Sequence, residues 1–95
     1  MKHLIYMTPF AIKVYKVVSR IPIGETRSYK WVARKAGNPN ACRAVGTALK
    51  NNPWPLIIPC HRVVQSGGNP GGYIWGKKVK ISLLNLERQI RKLMV

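Results

Sequence analysis

Charge is the feature that most limits what this chain can become: 17 Lys and Arg face only two acids, Glu25 and Glu87, for a formal net charge of +15. Such a chain repels itself and seeks polyanions. Nucleic acid is the first candidate, because a phosphate backbone releases counterions to a basic surface whatever its base sequence. An anionic membrane is the second. Against it, the apolar stretch Leu56–Ile58 is closed by Pro55 and Pro59, and no run approaches the roughly 20 residues a spanning helix needs. The segment before Pro9 carries one clear charge and develops no apolar region of signal-peptide length. An intracellular, cytoplasmic location is expected, or a nuclear one in a eukaryote. Hydrophobic residues make up 46% of the 95, enough for one small core and against disorder. Cys42 and Cys60 lack metal-ligand spacing, so two free thiols and no zinc site are the simpler reading.

The order of elements is readable. Thr8-Pro9 is an N-cap followed by proline at the first helical position, and Phe10, Val14, Val17 and Val18 recur at helical spacing to about Ser19. Ile21-Pro22-Ile23-Gly24 breaks that helix. A second starts after Ser28, with Tyr29, Val32, Ala33 and Ala36 on one stripe, and Gly37-Asn38-Pro39 closes it. Asn40–Lys50 forms a third, with Ala41, Ala44, Val45, Ala48 and Leu49, across a tight turn that suggests helix-turn-helix. Ala41, Ala44, Gly46, Thr47 and Ala48 are small, and a helix of small residues can approach a surface closely. Asn51–Pro55 reads as a stiff connector, and Cys60–Val64 as a short β-prone stretch ending at Gln65–Gly68. A glycine-rich loop with Tyr73 and Trp75 precedes a final helix from about Lys78, marked by Val79, Leu83, Leu86, Ile90 and Leu93.

Pro59-Cys60-His61-Arg62-Val63 carries the chemistry. A thiol is a nucleophile only as thiolate, and both nearby positive charge and a basic histidine favour that form. Consecutive residues of a strand point to opposite faces, so contact between Cys60 and His61 needs a turn or a bridging water. Glu87, on the same stripe as Leu83 and Ile90, is expected to face inward. It could orient His61 in a Cys, water, His, Glu relay, or pair with Arg91 one turn away.

These residues bring out a resemblance. Ile21-Pro22-Ile23-Gly24-Glu25-Thr26 with Ser28-Tyr29, Ala36-Gly37-Asn38-Pro39, Arg43-Ala44-Val45-Gly46, Asn52-Pro53, Ile58–Val64, and Gly72-Tyr73 with Gly76 form six ordered blocks. From about Thr8 to about Glu87 the chain resembles the C-terminal domain of O6-alkylguanine-DNA alkyltransferases. The fold this implies is α/β but mainly α: a winged-helix-like helix-turn-helix DNA-binding domain with a short β segment carrying Cys60 and a C-terminal helix.

The resemblance implies a role for each matching residue. Cys60 would take the alkyl group from guanine O6 irreversibly, once per molecule. His61 would deprotonate it through a water, and Glu87 would hold His61. Tyr29 would donate a proton toward the guanine ring and crowd the phosphate so that the nucleotide rotates out, and Arg43 would fill the vacated place in the stack. Ala41, Ala44, Gly46 and Thr47 would let the third helix enter the minor groove. Asn52 would brace the turn holding Cys60. Val63, Tyr73, Ile74 and Trp75 would form the guanine pocket, the Ile74 amide reaching O6. Trp75 stands where some members have a small residue, so a narrowed pocket that accepts methyl but resists benzyl groups is expected.

The partner implied is duplex DNA containing O6-alkylguanine, with no cofactor, metal or obligate protein partner. Only about seven residues precede the first helix, so residues 1–95 are expected to be one domain with an arm at 1–7 and without the family's N-terminal domain. Cys42 is assigned to helix packing, and Arg88, Arg91 and Lys92 to a solvated face that adds nonspecific affinity. The rivals are a noncatalytic binder of alkylated bases, a kind of relative that lacks the cysteine present here, and a small basic helix-turn-helix protein, which does not require Cys60, His61 and Glu87 together.

Overall fold

Thr8 starts the first helix as its sequence demands: Oγ1 accepts from the Ala11 amide at 3.1 Å and proline follows at the first turn. The computed structural model describes residues 8–67 and 69–94, so the expected arm at 1–7 and Gly68 lie outside the described residues. Helix α1 spans Pro9–Ser19 and buries Ala11, Val14, Tyr15 and Val18. Tyr15 satisfies its buried hydroxyl by donating to the Ala48 carbonyl at 2.7 Å, tying α1 to the third helix.

Helix α2, Tyr29–Lys35, is capped by Ser28, whose hydroxyl accepts from the Trp31 amide at 3.0 Å. It ends in two bonds, Gly37 N–H to Arg34 O at 3.1 Å and Asn38 N–H to Ala33 O at 3.0 Å. That closure needs a left-handed residue, and Gly37 supplies it at φ 98°. Helix α3, Cys42–Lys50, begins two residues later than the expected Asn40, because Ala41 occupies the N-cap with no side chain able to cap. It buries Val45, Ala48 and Leu49 and leaves Cys42, Arg43, Ala44, Thr47 and Lys50 exposed. The three helices pack on one another around this core, completing the helix-turn-helix.

Two expectations are corrected here. Cys60 does not lie on a strand: Cys60–Arg62 is a 3-10 turn, closed by Arg62 N–H to Pro59 O at 2.9 Å, and only Val63–Val64 (β2) is extended. Strand β2 pairs in parallel with Arg27–Ser28 (β1), in register Arg27 to Val63 and Ser28 to Val64. A two-residue strand has no periodicity to read, which is why β1 was invisible in the sequence.

The second correction concerns helix α4, Lys77–Met94. Its inward residues are Lys80, Leu84 and Glu87, while Val79, Leu86 and Leu93 of the expected apolar stripe are exposed. Leu83 and Ile90 are half-buried. The helix is rotated so that two charged residues find buried partners, a preference that apolar spacing does not encode. No described helix is long and apolar enough to cross a membrane.

Candidate active site

The parallel pairing of β1 with β2 is what assembles the site. Strand β1 runs straight into Tyr29 of α2, and β2 emerges straight from the turn that holds Cys60. Both side chains thereby line one cavity of about 520 Å³, with Gly46, Leu49 and Lys50 of α3 and Gly72, Tyr73 and Ile74 of the loop before α4. Such a volume suits a small-molecule-sized guest.

Cys60 is unbridged and only 5% exposed. Burial pushes its thiol above the ordinary value, and a bond with Asn52, the charge of Lys80 and a backbone bond pull the other way. The expectation that the basic environment and His61 make the thiol acidic is therefore corrected: surface charge is screened and desolvation wins. Asn52, itself buried, donates from Nδ2 to the Ile58 carbonyl at 2.9 Å and accepts from the Trp54 amide at 2.9 Å. It stitches both ends of the connector that delivers Cys60. Leu56, between that connector and Cys60, holds a left-handed φ of 77°, a strained conformation for a leucine.

His61 is buried with its Nε2 at 2.9 Å from Glu87 Oε2. Arg62, next in the turn, donates from Nε to Oε1 at 2.9 Å and from Nη2 to Oε2 at 2.7 Å, and its Nη1 reaches the Ile21 carbonyl at 2.8 Å. Burial raises the Glu87 carboxyl, but the bonds and charges of Arg62 and His61 outweigh it and hold the pKa below the ordinary value. An ionised carboxylate only accepts, so the shared proton sits on His61 Nε2, and Nδ1 is the nitrogen that a neutral ring would offer as acceptor. That Nδ1 is buried without a protein partner among the described residues. Arg62 belongs to the Pro59–Val63 motif, but nothing in the sequence marks it as the partner of Glu87. Arg91, the alternative partner for Glu87, instead pairs with Glu25 at 2.9 Å and bonds the Ile23 carbonyl at 3.0 Å.

The remaining expected residues divide. Ile74 and Tyr73 line the cavity; Val63 is fully buried in the core, and Trp75 is absent from the lining. The Trp75 ring meets Tyr73 edge-on at 5.8 Å between centroids and stays half-exposed, so it buttresses the wall rather than narrowing the space. Tyr73 in turn meets the His61 ring at 6.2 Å, and burial pushes its hydroxyl up to about 12. Arg43, Ala44 and Thr47 share the exposed side of α3, with Ala41 and Gly46 half-buried beside them. Arg43 lines a shallow depression that Tyr29 and Gly46 also line, so these two residues join the outer face of α3 to the cavity. Cys42 is exposed in that same depression and packs in no core, contrary to expectation.

Lys80 escaped the sequence reading altogether. It is fully buried on α4, where its Nζ donates to the Val63 carbonyl at 2.6 Å and to the Gly72 carbonyl at 3.2 Å. A lysine among solvated lysines carries no signal in sequence; its position two turns before Glu87 was the only clue.

Comparison with known proteins agrees with this geometry. Residues 9–89 match the family model described as 6-O-methylguanine DNA methyltransferase, DNA binding domain. The chain is similar to a probable methylated-DNA–protein-cysteine methyltransferase of Acanthamoeba polyphaga mimivirus (49% identity, 86% of this chain and 54% of that protein). It is also similar to the constitutive methylated-DNA–protein-cysteine methyltransferase of Bacillus subtilis (48%, 85% and 50%). It thus spans about half the length of the curated relatives it matches. Among solved structures, Mycobacterium tuberculosis OGT in complex with DNA superposes with a TM-score of 0.84 at 46% identity, over 86% of this chain and 50% of that one. S. pombe Atl1, in complex with damaged DNA containing O6-carboxymethylguanine, superposes with a TM-score of 0.73 at 33% identity, over 82% and 74%.

Proposed function

Because the chain belongs to the family of 6-O-methylguanine DNA methyltransferase DNA-binding domains, we propose that it transfers an alkyl group from guanine O6 in duplex DNA to its own Cys60. The observation that carries this reading is a single one: Cys60 lines a cavity of guest size while His61, next in the same turn, is held by Glu87 of α4.

The steps follow from where the groups sit. The small, exposed residues of α3 approach the minor groove, positive charge holding the phosphates, and Arg43 takes the place of the extruded base. The guanine enters the cavity past Tyr29, with the Ile74 amide toward O6. His61 Nδ1 accepts the thiol proton through a water, and Glu87 stabilises the charge left on the ring. The Cys60 thiolate attacks the alkyl carbon: an S–C bond forms, the C–O6 bond breaks, and its electron pair stays with guanine. Tyr29 supplies the proton that neutralises the leaving base. A thioether is not reversed by any group in the site, so each molecule turns over once. Burial disfavours the thiolate in the free protein, and removal of its proton by the imidazole relay works against this. In this reading residues 8–94 act as one unit on alkylated duplex DNA.

The raised Cys60 thiol and the likeness to S. pombe Atl1 favour, as a second reading, binding of the alkylated base without transfer. Incubation with an oligonucleotide carrying labelled O6-methylguanine separates them. Transfer predicts label bound covalently to protein, stoichiometric with it and absent from Cys60→Ala. Tight binding with no label on the wild type establishes the second reading instead.

A further inference from the structure

We propose that Lys80 is the buried counter-ion of the Cys60 thiolate and the residue that positions both walls of the cavity around it. The inference rests on the alkyl-transfer reading for its purpose, though not for its test.

A fully buried lysine loses its hydration and is retained only where something compensates. Here two carbonyls do so in part, and their identity matters: Val63 leaves the turn that carries Cys60, and Gly72 lines the cavity. One amine from α4 therefore holds together the segment bearing the thiol and the wall opposite. The same Nζ lies 5.9 Å from the centroid of the Tyr29 ring, behind another lining residue. Two neutral carbonyls and a ring face do not neutralise a positive charge. Burial accordingly pulls the amine down to about 8, and the Cys60 charge is what raises it in return. The coupling is reciprocal, since Lys80 in turn lowers the thiol.

Other groups bear on the pair from each packed element: Tyr15 from α1, Tyr29 from α2, Lys50 from α3, His61 and Arg62 from the turn, Tyr73 from the loop and Glu87 from α4. Burial and the Cys60 charge raise all three tyrosines, which therefore stay neutral at neutral pH, and Arg62 and the Nε2 of His61 are committed to Glu87. Lys50 reaches the cavity from an exposed position, where water screens it. Lys80 is left as the desolvated cation able to favour the thiolate.

The test is the pH dependence of Cys60 alkylation by iodoacetamide, which needs no DNA. Lys80→Met removes the charge at similar volume and is expected to raise the midpoint by about one unit, slowing reaction at pH 7 about tenfold. Lys80→Arg, which keeps the charge, is expected to hold the midpoint near that of the wild type. A folded Lys80→Met with the wild-type midpoint overturns the proposal, as do two variants shifted alike. Should neither variant fold, the reciprocal measurement decides: in protein carrying carbon-13 lysine, the low titration midpoint of the buried amine is expected to fall further in Cys60→Ser, and an unchanged midpoint overturns the proposal. Methyl transfer from labelled DNA is measured alongside. Its failure in the wild type removes the repair reading and leaves the iodoacetamide profile to judge Lys80 alone.

Discussion

Arg62 and Glu87 meet through two parallel bonds, Nε to Oε1 at 2.9 Å and Nη2 to Oε2 at 2.7 Å, and His61 shares the second oxygen. The guanidinium keeps the carboxylate ionised, and the ionised carboxylate fixes which nitrogen of His61 carries the proton. In the proposed reaction Arg62 would therefore bear on the thiol only through Glu87 and His61.

Removing Arg62 leaves Glu87 largely buried with half its partners. Arg62→Gln is expected to destabilise the fold by about 3 kcal/mol, the cost typical of breaking a buried pair, read as a lowered urea midpoint at unchanged slope. The pH dependence follows from the sign of the shift. The folded pKa of Glu87 lies below its ordinary 4.5, so its contribution is complete above that value and is lost as pH falls through the folded one. Stability of the wild type should hold between pH 7 and 5 and decline below about 4.5, and Glu87→Gln should remove most of that decline. A decline of equal size in Glu87→Gln would assign it elsewhere.

Asn52→Ala strips bonds from the Ile58 carbonyl and the Trp54 amide at once. A loss of about 2 to 3 kcal/mol in chemical denaturation is expected, since one orphaned buried group costs about 1 to 3. Cys60 alkylation should also slow at neutral pH, because Asn52 is among the groups that lower the thiol. Full stability in Asn52→Ala would show that water replaces the amide there.

Gly71→Ala tests how closely the loop approaches Tyr29. Gly71 has φ 76°, and a Cβ there would lie 3.0 Å from the Tyr29 hydroxyl and 3.3 Å from its Cε2. A stability cost of about 1 to 2 kcal/mol is expected from the left-handed backbone. Methyl transfer should fall more than tenfold, while affinity for undamaged duplex stays within about twofold. Equal loss of both would place Gly71 in the fold at large.

Arg43→Ala is expected to weaken binding to undamaged duplex and to reduce the slope of log affinity against log salt by about one if Arg43 meets phosphate. If it stacks in place of the extruded base, the salt slope is unchanged and transfer falls instead, with recovery when the lesion sits opposite a mismatch that flips easily. Wild-type transfer and binding in this variant would remove Arg43 from the interface.

Much of this protein was legible in its sequence because the signals are local. Thr8, Ser28 and Gly37 mark helix ends by capping chemistry that acts within four residues. The stripe of Val32, Ala33 and Ala36 shows its face, and the blocks around Cys60, His61 and Asn52 pointed to one site. What tertiary structure decided was every relation across the chain. The pairing of Arg27–Ser28 with Val63–Val64 put Tyr29 beside Cys60, and a 3-10 turn replaced the expected strand. The rotation of α4 turned Lys80 and Glu87 inward at the expense of Val79, Leu86 and Leu93. The thiol's direction of shift came out opposite to what net charge suggested. Composition counts charges, whereas desolvation depends on which atoms exclude water from one sulfur, and only the packed chain determines that.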